Sequence, residues 1–313
     1  MFFQIKIKNK FQRKAEKFML RTNKDRLVMI SVQGRVSYPV KKGPYRITYD
    51  GKPVVVPGVG GITYNIKVGD CAFGWEADHV EPGVSTVVNE EKRDDGPNCA
   101  YNILACMGNQ ARVVSGEAKG ALGVITGHHG GIEHVLIDFA QETLEKLCIG
   151  DKILVKAYGQ GLKLLDYPEI KVFNLDPSLL EKMKIEETGD GTISVPVTCE
   201  IPAKLMGSGL GSASVDSGDY DITTADKKMV EKYKLNQLRF GDIVAISDAD
   251  NSYGRSYREG AVSVGIVVHS DCVIAGHGPG VATLLTSTTS KIKFNIDADA
   301  NIANYLNIGT KRK

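Results

Sequence analysis

Leu238-Arg-Phe-Gly-Asp-Ile-Val244 is the stretch of this 313-residue chain that decides its fold class, because the same pattern occurs three times. Residues 66–72 and 147–153 repeat the order of an apolar residue, any residue, an apolar residue, Gly-Asp, any residue and an apolar residue. Glycine permits a positive φ, and the aspartate can accept a hydrogen bond from the nearby backbone. Each copy therefore predicts a chain reversal that leads into a β-strand.

The rest of the chain favours strands over helices. Bounded β-branched, alternating or apolar runs predict strands at residues 26–33, 54–56, 133–139, 152–157 and 260–271. Capping residues predict short helices from Asn98 to Met107, from Asp176 to about Ile185, from Thr224 to about Leu235, and over 301–306. The regular βαβ alternation of a doubly wound fold is absent. We expect a mainly β fold of several small barrel or sandwich modules with a few short decorating helices.

The composition excludes several classes of protein. Hydrophobic residues make up 42% of the chain and charged residues 24%, which argues against bulk disorder. No apolar run approaches the ~18 residues of a membrane-spanning helix, so we expect no membrane partner. The six cysteines form no CxxC pair, which predicts reduced thiols and a cytoplasmic location.

Charge divides the chain unevenly. Residues 1–24 carry eight Lys or Arg and one Glu, and the remainder holds 31 basic and 36 acidic residues. We expect residues 1–24 to be a basic leader, either a disordered tail or a stretch upstream of a true start at Met19. Residues 25–186 are predicted as an N-terminal β region, with a further division near residue 115 as an alternative, and residues 187–310 as a C-terminal β region. Because the body is acidic, a nucleic-acid partner is not expected.

Acidic and imidazole side chains follow two predicted strands near the C-terminus. Asp248 and Asp250 end one strand, and His269 and Asp271 end the next. In each pair the residues are two apart, so they face the same way in extended chain. If the two strand ends are neighbours, the four side chains can hold one divalent cation, with Zn, Mn or Fe favoured by the mixed nitrogen and oxygen ligands. Turn capping by the aspartates is the structural alternative.

Histidines are concentrated in two glycine-flanked stretches. Gly127-His-His-Gly-Gly-Ile-Glu-His134 contains three, and His277 lies in Ala275-Gly-His-Gly-Pro-Gly280. Imidazole titrates near neutral pH and commonly moves protons in catalysis. His277, His129 and His134 are therefore the candidate catalytic residues, with solvated surface turns as the alternative.

A third cluster predicts a substrate pocket. Trp75, the only tryptophan, precedes Asp78 and His79 in Trp75-Glu-Ala-Asp-His-Val-Glu81. An aromatic wall beside an acid and an imidazole can line a small-molecule pocket, although an acidic turn packed under the tryptophan explains the pattern equally well. Arg255 is a further candidate substrate-binding residue.

Several stretches together resemble an uncharacterised prokaryotic family known as domain of unknown function 4438. They are 127–134, 149–153, 158–162, 205–211, 254–255, 267–271 and 275–280. The resemblance spans roughly residues 25–310 and implies a mostly β, multi-barrel fold, with no established activity or catalytic residues. Phe240-Gly-Asp-Ile-Val-Ala245, followed by Asp248 and Asp250, is faintly similar to the acetamidase/formamidase family of β-rich amide hydrolases.

Two functions from different classes fit these patterns. The first is a metal-assisted hydrolase of a small polar molecule, such as an amide or another C–N bond. The second is a non-catalytic small-molecule-binding or self-assembling β-barrel protein, since exposed strand edges pair readily and predict a homo-oligomer. Signatures of P-loop NTPases, dinucleotide enzymes, HExxH proteases and GxSxG hydrolases are absent from the sequence.

Overall fold

The mainly β class and the small number of short helices are confirmed by a computed structural model, which describes residues 20–41, 43–208 and 215–313. The strands are β1 (Ile30–Val36), β2 (Arg46–Ile47), β3 (Pro53–Val54), β4 (Ile62–Thr63), β5 (Gly83–Val87), β6 (Gln110–Val113), β7 (Leu122–His129), β8 (His134–Asp138), β9 (Lys152–Ala157), β10 (Ile170–Val172), β11 (Glu186–Glu187), β12 (Ile193–Val197), β13 (Cys199–Pro202), β14 (Tyr220–Asp221), β15 (Ile243–Asp250), β16 (Ser256–Val267), β17 (Gly280–Ser287) and β18 (Ile292–Ile296). The helices are α1 (Gly96–Leu104), α2 (Gln141–Leu144), α3 (Pro177–Lys182), α4 (Lys227–Lys232) and α5 (Ile302–Leu306).

The first half of the chain forms a closed barrel. Six strands pair in the order β1-β9-β6-β7-β8-β5, and β5 then pairs back onto β1, where Arg35 lies opposite Val87. Every pairing around the ring is antiparallel. Closure removes the exposed edges that an open sheet would present. Val84, Ile125 and Ile137 are among the fully buried residues that fill the barrel.

The second half is built on a sheet ordered β10-β17-β16-β15-β13, with β14 paired to the end of β17. The strand predicted at residues 260–271 overlaps the buried part of β16, residues 261–267, in the central strand of this sheet, and residues 268–271 follow the strand. A three-stranded sheet, β11-β12-β18, lies beside it. One hydrophobic core contains residues of both halves, including Leu136 of β8 and Val268, so the barrel and the second sheet pack directly together.

The three Gly-Asp turns have the conformation that the sequence predicts. Gly69, Gly150 and Gly241 have φ values of 96°, 88° and 82°. In each turn a carboxylate oxygen accepts a hydrogen bond from the backbone N–H three residues earlier, at 2.7 Å for Asp70, 2.9 Å for Asp151 and 2.8 Å for Asp242. The repeat therefore encodes a turn that is closed by its own side chain.

The helix N-caps agree with the predicted ones only in part. The cap Asp176 of α3 is confirmed, and the last predicted helix, over 301–306, is α5, which Asn301 caps. Asp95 rather than Asn98 caps α1, and Asp226 rather than Thr224 caps α4. Thr224 instead donates a hydrogen bond to Asp271, because its hydroxyl faces the loop that follows β16.

The predicted regions map onto these elements as follows. Residue 115 lies between β6 and β7 of one barrel, and the boundary at 186/187 lies within β11. Residues 1–19 of the predicted leader lie outside the described residues. Within the described part of the chain, every helix is too short or too polar to cross a membrane.

Candidate metal centre

Four of the six histidines of the chain are packed against one another. The rings of His129 and His269 are stacked with centroids 4.2 Å apart. The ring of His79 lies 5.0 Å from that of His269 and 5.1 Å from that of His277. Because 198 residues separate His79 from His277 in sequence, only the tertiary fold brings these imidazoles together.

Direct packing of the two halves brings two of these histidines together. Gly127 of β7 lies against Val268, since a Cβ built on Gly127 would be only 2.7 Å from the Val268 side chain. His129 ends β7 two residues after this contact, and His269 immediately follows Val268. The absence of a side chain at Gly127 thus allows the approach that stacks the two imidazoles.

Two carboxylates come from the edge strand β14 and the residue just before it. Tyr220 pairs with Val281 of β17 and buries its ring in the core, so Asp219 and Asp221 on either side of it project toward the histidines. This follows from the alternation of side chains along extended chain. Asp219 is 4% exposed and Asp221 6% exposed, so both carboxylates are withdrawn from solvent.

The deeper part of the site contains three donors, His129, Asp219 and His269, whose ligand atoms all lie within 4.8 Å of one another. Oδ2 of Asp219 lies 2.8 Å from Nε2 of His269. In the described part of the chain, however, neither atom has a hydrogen-bond partner of acceptable geometry, and both are buried. Two buried ligand atoms that lie this close, with no hydrogen bond between them, are the arrangement expected of two ligands of one cation.

Both deep imidazoles are oriented by a hydrogen bond at Nδ1. Nδ1 of His129 lies 2.6 Å from Oε1 of Glu81, and Nδ1 of His269 lies 3.0 Å from the carbonyl oxygen of Ser270. Acceptors at Nδ1 keep a proton there, so Nε2 is the nitrogen through which each ring can bind a metal ion. Metal-binding histidines in proteins are held in this way by carboxylates and backbone carbonyls.

Glu81 connects this centre to the rest of the barrel. The side chain is 1% exposed, and its carboxylate also receives hydrogen bonds from Nδ1 of His134 at 3.0 Å and from the backbone N–H of Gly60 at 2.7 Å. Burial opposes ionisation, but His134 and His129 hold the pKa of Glu81 well below its usual range. Glu81 is therefore a buried anion whose position fixes that of His129.

The deep centre attracts positive charge. Burial alone would lower the pKa of His269, yet the carboxylates of Asp219 and Asp221 raise it well above its usual value. Asp219 is held in place by the backbone N–H of Gly130, which donates to Oδ1 at 2.7 Å. Oδ2 is left facing His269.

The outer part of the site is built around Asp221. Its Oδ1 lies 3.4 Å from Nε2 of His269, and its Oδ2 lies 2.6 Å from Nδ1 of His277 and 3.6 Å from Nε2 of His79. One carboxylate thus contacts both the deep and the outer imidazoles. Although burial acts in the opposite direction, His269, His277 and His79 hold the pKa of Asp221 far below its usual range.

His79 is oriented by Asp78. Nδ1 of His79 lies 2.9 Å from Oδ1 of Asp78, which also accepts a hydrogen bond from the Cys272 thiol at 3.0 Å. Nε of Arg46 lies 3.2 Å from Oδ2 of the same carboxylate. Asp78 is therefore held from three directions and directs Nε2 of His79 toward Asp221.

A pocket of about 580 Å³ opens beside the outer histidine. Trp75, Asp78 and His79 line it, together with Arg46 and Tyr64. This volume is typical of sites for small molecules. Three of the four predicted substrate-binding residues thus share one pocket, whereas Arg255 is not among its lining residues and donates to the carbonyl oxygen of Gly207.

The metal site predicted from Asp248, Asp250, His269 and Asp271 is not assembled. β15 and β16 are antiparallel, with Ile243 opposite Ile266 and Asp250 opposite Ser256. The end of β15 therefore lies roughly 20 Å from the end of β16, given the rise of a strand per residue. The prediction treated two consecutive strand ends as neighbours, which holds for parallel strands only.

The two displaced aspartates have structural roles instead. Oδ1 of Asp248 accepts from the backbone N–H of Gly260 at 2.9 Å, and Oδ1 of Asp250 accepts from the backbone N–H of Ser252 at 2.9 Å. Asp271 lies near the histidines but accepts from Thr224. Of the four predicted ligands, His269 alone belongs to the donor cluster.

The three predicted catalytic histidines do not share one role. His129 belongs to the deep cluster and His277 to the outer one. His134 is 1% exposed and hydrogen-bonds to Glu81, which in turn bonds His129. It therefore helps to position His129 and does not face the pocket.

Sequence analysis missed Asp219, Asp221 and Glu81. The pattern Asp219-Tyr-Asp221 carried a usable signal, since carboxylates two apart on a strand face the same way. Glu81 was visible beside Asp78 and His79, but nothing local indicated a bond to residues 48 and 53 positions away.

Comparison with known proteins agrees with the fold. The model described as domain of unknown function (DUF4438), N-terminal, matches residues 45–181, and its C-terminal counterpart matches residues 182–306. The solved structure entitled "Crystal structure of TM1086" superimposes with a TM-score of 0.86 at 53% identity, covering 92% of this chain and 99% of that chain. No curated protein matches the chain. These comparisons do not show the acetamidase likeness of the stretch 240–245, which forms a Gly-Asp turn and the start of β15, with Asp242 bonded to Arg239 and Asn301.

Proposed function

The chain belongs to the DUF4438 family, and from its buried histidine–carboxylate centre we propose that it is a metal-dependent hydrolase of a small polar molecule. The observation that carries the proposal is the pair formed by Asp219 and His269, whose facing atoms are buried, 2.8 Å apart and without a hydrogen bond between them. A divalent cation between these atoms and Nε2 of His129 would satisfy all three donors. We name this position the deep site.

The ligand set favours a catalytic rather than a structural ion. Two imidazoles and one carboxylate suit Zn, Mn or Fe, and three protein ligands leave a position open for water. A structural zinc site has four protein ligands, most often including thiolates. The only cysteine near this centre, among the residues that the structure describes, is Cys272, and its thiol bonds Asp78 rather than facing the deep site.

Hydrolysis is the chemistry that such an ion supports in this setting. A bound divalent metal lowers the pKa of its water toward neutrality and polarises a carbonyl oxygen. The adjoining pocket combines an aromatic wall at Trp75 with the charged groups of Arg46 and Asp78. These features support a small substrate with an apolar part and a polar carbonyl-containing group, such as an amide.

The first test is metal content. Purified protein is stripped with chelator, incubated with Zn²⁺ or Mn²⁺, and analysed by plasma mass spectrometry after removal of free ion. Asp219→Asn should lose the ion of the deep site, whereas Asp250→Asn should keep it, because Asp250 lies at the far end of the β15–β16 hairpin. Absence of stoichiometric metal from the wild-type protein would overturn the proposal.

The second test separates the hydrolase from the alternative, a non-catalytic small-molecule-binding protein. The metal-loaded protein is incubated with a panel of small amides and related C–N compounds, and release of ammonia or amine is followed. Turnover that disappears in Asp219→Asn supports the hydrolase. Stoichiometric metal with ligand-induced stabilisation and no turnover favours the binding protein. Cytoplasmic location, supported by the six free thiols, and self-association stay predictions.

A further inference from the structure

We propose that the centre holds two metal ions, with Asp221 as the carboxylate that bridges them. The second ion would occupy an outer site formed by His79, His277 and Oδ2 of Asp221. This inference rests on the proposed function, because the first ion is that of the deep site.

The geometry of Asp221 carries the inference. Its two oxygens point in different directions: Oδ1 lies 3.4 Å from Nε2 of His269 in the deep site, and Oδ2 lies 2.6 Å from Nδ1 of His277. A carboxylate that offers one oxygen to each of two ions holds them ~3.5–4 Å apart, the spacing of two-metal hydrolases. An aspartate serving a single ion would not need imidazoles at both oxygens.

The outer donors are as close to one another as ligands of one ion. Nε2 of His79 lies 3.2 Å from Nδ1 of His277 and 3.6 Å from Oδ2 of Asp221. Cis ligands of an ion with bonds of ~2.1 Å are about 3 Å apart, so all three atoms can reach one cation with small adjustments. His79 and His277 also belong, with Cys272, to a group whose donor atoms lie within 4.8 Å.

A carboxylate orients His79 of the outer site in the same way as a carboxylate orients His129 of the deep site. Asp78 accepts at Nδ1 of His79 at 2.9 Å, just as Glu81 accepts at Nδ1 of His129 at 2.6 Å. Each carboxylate is buried, and each fixes the ring so that Nε2 faces the centre. Two carboxylate–histidine pairs on opposite sides of one bridging aspartate indicate two ions rather than one.

The position of the outer site gives the second ion a role in substrate binding. His79 lines the pocket, and the His277 side chain is 34% exposed, whereas His129 and His269 are buried. The outer ion would therefore lie next to the pocket, and the deep ion would lie behind it. Hydrolysis of an amide here would form a bond between the water oxygen and the carbonyl carbon and break the carbon–nitrogen bond. Both water protons would end on the leaving nitrogen, giving a carboxylate and a protonated amine, and the two ions would supply the activation of the water.

The experiment is a metal titration with a spectroscopic readout. Chelator-stripped protein is titrated with Mn²⁺, bound ion is counted by plasma mass spectrometry, and electron paramagnetic resonance detects magnetic coupling between neighbouring Mn²⁺ ions. The wild-type protein should bind two ions per chain and give a coupled spectrum. His277→Asn and, independently, His79→Asn should bind one ion and give an uncoupled spectrum.

Asp271→Asn is the matched control, because Asp271 lies beside the histidines but bonds Thr224. It should keep two ions and the coupled signal. Circular dichroism and a thermal melt confirm that each variant is folded before ions are counted. One ion per chain in wild-type protein would overturn the two-metal inference and leave the proposed function standing, whereas no bound ion would overturn both.

Discussion

Gly280 and His269 are so close that no side chain could be accommodated between them: a Cβ built on Gly280 would lie 2.2 Å from Nε2 of His269. The same Cβ would lie 1.9 Å from Oδ2 of Asp219. The φ of Gly280 is not positive, so backbone conformation does not require glycine here. The glycine is required by the space at the deep site.

Gly280→Ala should therefore remove the ion of the deep site without changing any ligand. The added methyl would collide with Oδ2 of Asp219 and Nε2 of His269 and displace both ligand atoms, so we expect at least a tenfold loss of metal affinity with about 1–3 kcal/mol of destabilisation from overpacking. Isothermal titration calorimetry with Zn²⁺ measures the affinity. Gly96→Ala is the control, because a Cβ at Gly96 meets nothing within 4 Å. Undiminished affinity in Gly280→Ala would contradict the placement of the ion.

Glu81→Gln should weaken metal binding although Glu81 does not face the ion. An uncharged amide oxygen is a weaker hydrogen-bond acceptor than a carboxylate, so it cannot hold both His129 and His134 as Glu81 does. His129 therefore loses its fixed orientation. Loss of such an orienting partner lowers metal affinity by about 10–100-fold. Competition with a fluorescent chelator gives the affinity. Glu76→Gln changes an exposed carboxylate on the same loop and should have no effect.

Trp75→Ala should weaken substrate binding and leave the metal in place. Trp75 lines the pocket next to His79, and its indole N–H donates to the carbonyl of Cys71 at 2.7 Å, which fixes the ring against the pocket. Loss of one aromatic contact costs about 1.4 kcal/mol, so KM should rise about tenfold. Steady-state kinetics on a substrate found in the amide panel checks this. A fall in kcat with unchanged KM would show that the pocket is not the binding site.

Glu133→Gln should stabilise the protein at alkaline pH. Burial raises the pKa of Glu133 from 4.5 to about 7. The Gly131 N–H and Arg93 lower this pKa, whereas the negative charges of Asp94 and Asp219 raise it. Between these values the unfolded chain ionises before the folded one, so stability falls as pH rises and remains lower above pH 7. At pH 8 we expect Glu133→Gln to be more stable than wild type by about 1–3 kcal/mol.

At pH 4 the side chain at position 133 is uncharged in both the wild-type protein and the Glu133→Gln variant. The difference between their free energies of unfolding should therefore vanish. Urea unfolding in chelator, at both pH values, measures it without interference from bound metal. Equal midpoints at pH 8 would contradict the expected effect of burial.

Local chemistry explains what the sequence could predict of the fold. The Gly-Asp turns, the buried run of β16 and the caps at Asp176 and Asn301 depend on residues within four positions of one another. Closure of the barrel through β1 and β5 depends on pairing between residues about 50 positions apart, such as Arg35 and Val87. No spacing in the sequence encodes that pairing.

The candidate site shows the same division. Residue type alone identified His129, His269, His277 and His79 as candidates, because imidazole titrates near neutral pH and is a common metal ligand. The grouping failed, since it assumed that Asp250 and His269 end at the same edge of the sheet. The antiparallel direction of β15 and β16 separates them and brings Asp219 and Asp221 to the histidines instead.

The donors of the centre come from both matched regions of the chain, with His79 and His129 in the first and Asp219, Asp221, His269 and His277 in the second. A cation bound at the deep site would therefore link the two regions. After limited proteolysis between the regions, the fragments should stay associated through the shared core even in chelator, and bound ion should raise the temperature at which they separate. Neither region contains the full donor set, so the centre forms only where both regions are folded and packed together.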